Sequence, residues 1–346
     1  MPITIEDVAR TAGVSTATVS RALRGLPHVS DATRASITRV ALDLGYVASK
    51  SASNLATGRT RTVGVVTPHI AKWFFAQAIE AVEQELRADR YDVLLMVLPP
   101  TTDHSRPLFE PEELRQRVDA VCVLTVPLTG RELDGLRRLG LPTVFLGGSV
   151  SGAMSVRIDD VEVGRTASEH LITLGHKRIA HIGGDPNEPL NFNAPVDRRA
   201  GWLSALRAAG LDPDPRLDEV GFFTIDGGRA AMQRLLTLPD RPTAVFAASD
   251  EMAFGALDAA RAAGLRVPGD LSVVGVDDHE LAPLLDLTTV SQPVVEQGRR
   301  AANLLLAALR GDRTHPQEHA LLPVTLVVRG TTGTPDLRHV AGSLPL

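Results

Sequence analysis

The 346-residue sequence predicts a small all-α head, a short linker and an α/β core with two doubly wound parallel-sheet subdomains. Three observations lead to this fold class. Residues 1–48 show only short helical patterns, residues 49–58 are small and polar apart from one leucine, and from Arg61 onward apolar strand runs alternate with amphipathic helices. That alternation is typical of βαβ units. Because one sheet seldom organises a core of more than 280 residues, we expect two sheets with a cleft between them.

The head carries an excess of positive charge. Residues 1–61 hold eight Lys and Arg residues against four Asp and Glu, a net charge of +4, whereas the whole chain is −5. A basic head on an acidic body suits contact with nucleic acid, because neutralising phosphates supplies most non-specific affinity.

Within the head, residues 5–23 fit a helix-turn-helix. Gly13 allows the positive φ of a tight turn, Ser15 is expected as the N-cap of the second helix, and small or branched apolar residues fill the space between the helices. Arg21 can contact guanine through two hydrogen bonds, and methyl groups suit thymine. The positions predicted to reach base edges are Thr16, Ala17, Ser20 and Arg21.

In the core, the apolar runs predict strands at 63–67, 93–98, 120–125, 143–146, 179–183, 244–248 and 271–276. The amphipathic segments predict helices at 74–88, 131–139, 163–174, 197–209, 228–238, 250–263 and 296–309. Each strand is followed by a helix or a loop, so the carboxyl ends of the strands should line the cleft.

The composition excludes several classes of protein. There is no run of 18 apolar residues, and the chain starts without the basic and apolar regions of a secretory signal. The single cysteine, Cys122, excludes a disulfide framework and a multi-cysteine metal site. We therefore expect a cytoplasmic protein with no membrane contact.

No pattern indicates catalysis. The sequence lacks Gly-x-Gly-x-x-Gly, a P-loop, His-Glu-x-x-His and Gly-x-Ser-x-Gly. The run 277–280, Asp-Asp-His-Glu, is interpreted as a solvated loop, and His176 and His181 as structural residues. We expect no catalytic residues, no metal and no cofactor. The alternative is a solute-binding module or an α/β enzyme with an incidental helical head, and cleavage at the linker would distinguish them.

The sequence resembles the lactose-repressor family of bacterial transcription factors. The matching segments are 5–23, 29–34 and 44–46 in the head and 173–184, 241–246 and 249–257 in the core. The resemblance implies a core like that of periplasmic sugar-binding proteins. It also implies a homodimer that binds a near-palindromic double-stranded operator under the control of a small-molecule effector, most simply a carbohydrate.

Domain boundaries follow from the changes in composition along the chain, together with this resemblance. Residues 1–48 are assigned to the DNA-binding head, 49–60 to a hinge helix or linker, and 61–346 to the core. Within the core, the N-subdomain is expected at about 61–159 and 293–323, and the C-subdomain at about 160–291 and 324–340. The ten residues 49–58 are too few to hold a helix alone in water. In the family the linker folds on DNA, where Leu55 would wedge into the minor groove beside Ala52.

The resemblance also implies effector-binding residues, namely Phe75, Arg198, Phe223, Ser249, Asp277 and Gln292. On this basis, Asp277→Ala and Arg198→Ala are expected to abolish the effector response with thermal stability nearly intact. The neighbouring Asp250 is interpreted as a helix N-cap.

This sequence departs from sugar-binding relatives at several cleft positions. Gly147 and Gly148 stand where those relatives commonly have aspartate, and Lys72 and Ser249 stand where they often have asparagine. A ligand hydroxyl without a hydrogen-bond partner lowers the binding free energy in a buried site. Because polar partners are missing here, the sequence supports a free hexose as the effector less firmly than it would in those relatives. A larger glycoside, an anionic metabolite and a nucleoside remain open, as does whether the effector releases DNA or promotes its binding.

Overall fold

A computed structural model describes residues 3–46, 59–98, 109–187, 193–312 and 319–336. The chain divides into two compact units, 1–61 and 62–346. No helix in the described ranges is long and apolar enough to cross a membrane.

The head consists of three helices: α1 (Ile5–Ala12), α2 (Thr16–Leu23) and α3 (Asp31–Asp43). Their small core is formed by Val8, Ala9, Val19, Ala22, Ile37 and Ala41. Gly13 adopts a φ of 67°, and the hydroxyl of Ser15 accepts a hydrogen bond from the amide of Thr18, so both sequence predictions for the turn are confirmed. Arg34 from α3 donates to the carbonyls of Ala22 and Leu26 at 2.7 and 2.9 Å, which satisfies the end of α2.

In the N-subdomain, six strands form one parallel sheet in the order β11-β5-β4-β3-β1-β2. Its strands are β1 (Thr62–Thr67), β2 (Asp92–Val97), β3 (Ala120–Leu124), β4 (Thr143–Leu146), β5 (Met154–Arg157) and β11 (His319–Leu321). Its helices are α4 (Trp73–Ala88), α5 (Gly130–Leu139) and α10 (Val294–Leu309), with a 3₁₀ turn at Pro111–Leu114. Helices α4 and α10 pack together against the sheet and bury an apolar face there.

In the C-subdomain, a second six-stranded sheet has the order β12-β10-β9-β8-β6-β7, in which only β12 is antiparallel. Its strands are β6 (Ile179–Gly183), β7 (Asp218–Val220), β8 (Ala244–Ala247), β9 (Ser272–Asp277), β10 (Thr288–Ser291) and β12 (Thr325–Val327). Its helices are α6 (Asp160–Thr173), α7 (Ala194–Ala208), α8 (Ile225–Leu236) and α9 (Asp250–Ala262), with a 3₁₀ turn at Pro215–Leu217.

The chain passes between the two sheets three times: after β5, after β10 and after β11. In both sheets the strand order reverses at the first strand, and the carboxyl ends of the neighbouring strands face the gap between the subdomains. This is where ligands bind in doubly wound folds.

Paired glycines let helices α6 and α7 cross in close contact. A methyl group added at Gly201 would lie 2.1 Å from the carbonyl oxygen of Val161 and 2.9 Å from Cα of Gly164. We expect Gly201→Ala to lower the free energy of unfolding by about 1–3 kcal/mol, because the backbones must separate. Urea unfolding measures this. Gly130→Ala is the control, since nothing lies within 4 Å of that position, and equal stability of the two variants would contradict the prediction.

Candidate functional site

Helix α2 of the head presents the residues predicted to read bases. Thr16, Ala17 and Arg21 are exposed, Ser20 is half-buried, and Val19 faces inward with no exposed surface. The guanidinium of Arg21 forms no hydrogen bond or ion pair within the described part of the chain. This face is therefore available for contact with another molecule. The predicted wedge residues Ala52 and Leu55 lie outside the described residues.

In the core, one cavity between the subdomains collects every predicted effector residue: Phe75, Arg198, Phe223, Ser249, Asp277 and Gln292. They come from distant parts of the chain but occupy strand ends, helix starts and one crossing segment at the facing edges of the sheets. All but Phe223 are nine-tenths or more buried.

On the C-subdomain wall, Asp277 ends β9 and accepts a 2.5 Å hydrogen bond from Nε2 of Gln292, which lies in the crossing segment after β10. Arg198 projects from α7, where its Nε pairs with Asp160 at 2.8 Å and its Nη1 donates to the carbonyl of Ala248 at 2.6 Å. Arg198 is thus held firmly within the C-subdomain and also faces the cavity.

The interpretation of Asp250 as an N-cap is wrong. Ser249 caps α9, because its hydroxyl accepts from the amide of Met252. Asp250 is the first helical residue, and its buried carboxyl accepts from the hydroxyl of Thr289 at 2.7 Å and the amide of His279 at 2.8 Å. Serine and aspartate are both common N-cap residues, so the sequence Ser-Asp is compatible with either as the cap. In the structure the carboxyl of Asp250 is hydrogen-bonded instead to Thr289 of β10.

Burial and charge shift the pKa values of these carboxyls. Burial raises the pKa of Asp277 to about 6, although Arg198 and the hydrogen bond from Gln292 act in the opposite direction. Burial, together with the nearby charge of Asp277, raises the pKa of Asp250 well above its usual range. Burial also raises the pKa of Glu251, and Lys72 opposes this. Of these three carboxyls, Asp277 and Glu251 line the cavity, where they can accept hydrogen bonds from a bound partner when ionised.

The N-subdomain wall of the cavity is formed by aromatic side chains and by small residues. The rings of Phe74 and Phe75 pack edge to face with their centroids 5.4 Å apart. Gly147, which follows β4, has a φ of 77°, and a Cβ there would lie 2.7 Å from the methyl group of Thr125. An aspartate at Gly147 would therefore require Thr125 to move.

Several lining residues were not among those predicted, namely Phe74, Thr125, Asp160, Glu251 and Gln297. Thr125 is the last residue of a predicted strand, so its place at the carboxyl edge could have been inferred. Gln297 interrupts the apolar face of α10 that continues through Ala301 and Leu305. A glutamine on an otherwise apolar helix face could have indicated from the sequence that this residue lines the cavity.

The two walls touch at one side of the cavity. Nζ of Lys72 donates to the carbonyl of Phe222 at 3.2 Å and lies 5.9 Å from the ring centroid of Phe223. The ring of Trp73 lies against that of His279 with a centroid separation of 5.0 Å. The free volume between the walls is about 60 Å³. Since ligand sites commonly enclose about 300 Å³ or more, a ligand as large as a disaccharide requires the walls to separate.

Other groups that could have indicated catalysis have structural partners. His176 contacts the hydroxyls of Thr243 and Ser272 at 2.9 and 3.0 Å, and His181 contacts Asp218 at 2.9 Å. Both histidines are buried. Across the ranges that the structure describes, no three His, Cys, Asp or Glu side chains converge to hold a metal ion.

Comparisons with known proteins agree with this arrangement. Residues 4–49 match the family described as bacterial regulatory proteins, lacI family, and residues 168–332 match a periplasmic binding protein-like domain. The HTH-type transcriptional repressor CytR of Escherichia coli strain K12 is 34% identical over 343 residues, covering 95% of this chain and 96% of CytR. The HTH-type transcriptional regulator CelR of Thermobifida fusca is 37% identical over 337 residues, covering 94% and 97%.

Solved structures extend the similarity to three dimensions. A CelR–cellobiose complex matches with a TM-score of 0.68 and 35% identity, covering 95% of this chain and 99% of that one. A lac repressor dimer bound to operator and the anti-inducer ONPF matches with a TM-score of 0.83 and 29% identity, covering 96% and 100%. The relatives are transcriptional regulators rather than enzymes. The helical head, the two-sheet core and these matches together show that the chain belongs to the LacI family of DNA-binding transcriptional regulators.

Proposed function

We propose that this regulator is a homodimeric repressor whose affinity for a near-palindromic operator is set by a small neutral carbohydrate or glycoside bound between the core subdomains. One observation carries the effector part: six residues from distant segments converge on one cavity, with an aromatic wall on the N-subdomain side and polar side chains on the C-subdomain side. Sugars combine hydroxyl groups with apolar ring faces, which suits such a lining.

The charges that line the cavity favour a neutral ligand over an anionic metabolite. The described lining has two cationic side chains, Lys72 and Arg198, and three carboxyl groups, Asp160, Glu251 and Asp277. Arg198 is already paired with Asp160. Because acceptors are in excess, a ligand with hydroxyl donors is better matched than a phosphate or carboxylate.

The relatives support the proposed homodimer, and the topology of the core supports the proposed switch. The lac repressor structure is a dimer on operator DNA, and two heads on a near-palindrome require two-fold symmetry. Three crossing segments connect the subdomains of our chain, so effector binding can change how they close on each other. The ligand shifts operator affinity only as far as it prefers one closure state.

A screen of the full-length protein tests the effector proposal. Thermal melts with D-glucose, D-ribose, cellobiose, maltose, cytidine and citrate should show stabilisation by a neutral sugar or glycoside. At a ligand concentration of 100 Kd the gain in the free energy of unfolding is about 2.7 kcal/mol. The same ligand should change binding to a duplex selected by the protein from a randomised library. Stabilisation by citrate alone would refute a neutral effector.

The DNA-reading face gives a separate prediction. Arg21→Ala should weaken binding to the selected duplex by about 1–3 kcal/mol and relax the preference at one base pair of each half-site, because an exposed arginine on α2 can contact guanine through two hydrogen bonds. Fluorescence anisotropy on the selected and a scrambled duplex measures both effects. Arg39→Ala, an exposed change on α3, is the matched loss of charge. Equal losses on both duplexes would make Arg21 a phosphate contact.

A further inference from the structure

Gln297 is a glutamine with no exposed surface in the first turns of helix α10. Its Nε2 donates to Oε1 of Gln292 at 3.2 Å, and Nε2 of Gln292 donates to Oδ1 of Asp277 at 2.5 Å. Its own Oε1 has no hydrogen-bond partner among the described residues, and the side chain lines the cavity between the subdomains.

The direction of this chain of hydrogen bonds is fixed at one end. An ionised Asp277 can only accept, so Gln292 must turn its NH₂ group toward Asp277 and its oxygen toward Gln297. Gln297 must then donate to Gln292, which leaves its carbonyl oxygen as the free end. A buried acceptor without a partner costs free energy, so a donor that enters the cavity and bonds to Oε1 of Gln297 would recover it.

A second buried polar atom on the N-subdomain wall, the hydroxyl oxygen of Thr125, also lacks a hydrogen-bond partner within the described ranges. The residue is 9% exposed. Thr125 follows β3 at the carboxyl edge of the N-subdomain sheet and lines the same cavity as Gln297. Two unsatisfied polar atoms on one wall indicate a polar occupant on the N-subdomain side.

We propose that Gln297 is a specificity-determining residue of the effector site: its Oε1 accepts a hydrogen bond from a ligand hydroxyl, with Thr125 as a second polar contact. The inference rests on the proposed function of the cavity. The free end at Gln297 and the carboxyl of Asp277 are both acceptors, so the ligand must donate at two places. A polyhydroxylated ligand does this, whereas a fully ionised phosphate or carboxylate group cannot donate at either place.

The same chain of hydrogen bonds connects the two subdomains. It runs from α10 of the N-subdomain through the crossing segment to the end of β9 in the C-subdomain. A ligand hydroxyl at Gln297 would polarise the bonds behind it and so strengthen the hydrogen bonds from Gln297 to Gln292 and from Gln292 to Asp277, which link the two subdomains. Gln297 would therefore affect recognition and closure together.

Gln297→Leu tests the proposal in the full-length protein. Without ligand, the variant should melt near the wild-type temperature, because it loses the unpartnered Oε1 of Gln297 but leaves Oε1 of Gln292 without its donor. Calorimetry with D-glucose, D-galactose, D-ribose and cellobiose identifies the best-binding sugar, and Gln297→Leu should bind it about 10-fold or more weakly. Gln84→Leu, an exposed change on α4, is the matched control and should bind like the wild type.

Monodeoxy analogues of that sugar decide the mechanism. The wild type should discriminate against the loss of each contacted hydroxyl, and for one analogue Gln297→Leu should bind the parent and the analogue equally. If Gln297→Leu keeps the full wild-type discrimination, or melts well below the wild type, Gln297 is structural and the inference fails while the proposed function stands. If the wild type binds none of the four sugars, the proposed function fails and this inference fails with it.

Discussion

Asp277→Ala is expected to abolish the effect of the effector on operator binding, with effector affinity reduced by about 100-fold. Asp277 ends β9 inside the cavity, and its carboxyl accepts from Gln292. The variant removes a charged acceptor from a ligand hydroxyl, and a hydrogen bond to a charged acceptor contributes more binding free energy than one to a neutral acceptor. Operator affinity without effector should stay within about twofold of the wild type, since DNA contact depends on the head. Titration of operator binding against the identified sugar measures both quantities.

The same carboxyl predicts a dependence on pH. Its pKa is raised from 3.8 to about 6 in the folded protein, so the folded state binds this proton more tightly than the unfolded chain does. The contribution of Asp277 to stability is therefore present at acidic pH and is lost as pH rises from about 4 through about 6. Effector affinity should change in the opposite direction and rise over this window, because the ionised carboxylate is the better acceptor.

Asp277→Asn is the matched control, because asparagine keeps an oxygen for Gln292 but cannot ionise. The difference in the free energy of unfolding between wild type and Asp277→Asn should decline between about pH 4 and about pH 6 and then level off. The rise in effector affinity should disappear in the variant. A normal effector response in Asp277→Ala would place the effector in another pocket and would overturn the assignment of all six cleft residues.

The sequence predicted the fold well wherever a strand is a nearly continuous apolar run. All seven predicted strands and all seven predicted core helices are present, with ends that differ by a few residues. The strands β5, β7, β10, β11 and β12 were missed, and each is only three or four residues long. Strand β7, for example, has the sequence Asp218-Glu219-Val220 and lies at a sheet edge. Its pairing with β6 comes from tertiary contacts, which local propensity does not show.

The candidate site, like the fold, was predicted only in part from the sequence. The family pattern predicted residues that the structure brings to one cavity, because that pattern follows strand ends, which are fixed by topology. The pattern did not predict the contacts between side chains. Whether Ser249 or Asp250 caps α9, and whether Gln297 faces the cavity or the sheet, depends on the packing of neighbouring elements. Such choices involve small free energies that one sequence does not display.

The effect of Arg198→Ala on stability is a further property that the sequence does not predict. The sequence led to the same expectation for Arg198→Ala and Asp277→Ala, whereas the structure gives Arg198 partners within the C-subdomain. We expect Arg198→Ala to abolish the effector response and also to lower the free energy of unfolding by about 3–5 kcal/mol. The guanidinium lies 2.8 Å from Asp160 and 2.6 Å from the carbonyl of Ala248, in a side chain that is 7% exposed. Removing it leaves a nearly buried carboxylate and a carbonyl without their donor.

Loss of the arginine also acts on Asp277. The charge of Arg198 lowers the pKa of Asp277, so Arg198→Ala should raise that pKa further above about 6 and leave more of the carboxyl protonated near neutral pH. The expected loss of effector binding in Arg198→Ala therefore has two sources. They can be separated by raising the pH, which restores the ionised Asp277 but not the missing guanidinium.

A double variant distinguishes the ion pair from simple loss of packing. If the cost of Arg198→Ala comes from an unpaired Asp160, then Arg198→Ala with Asp160→Ala should be more stable than Arg198→Ala alone, and urea unfolding of the single and double variants measures the coupling. Arg198→Lys should be intermediate, because lysine keeps the charge but cannot reach Asp160 and Ala248 with one planar group. Wild-type stability in Arg198→Ala would instead mean that water readily replaces the guanidinium beside Asp160. The pairing with Asp160 would then have little structural role, and Arg198, like Asp277, would act mainly on the ligand.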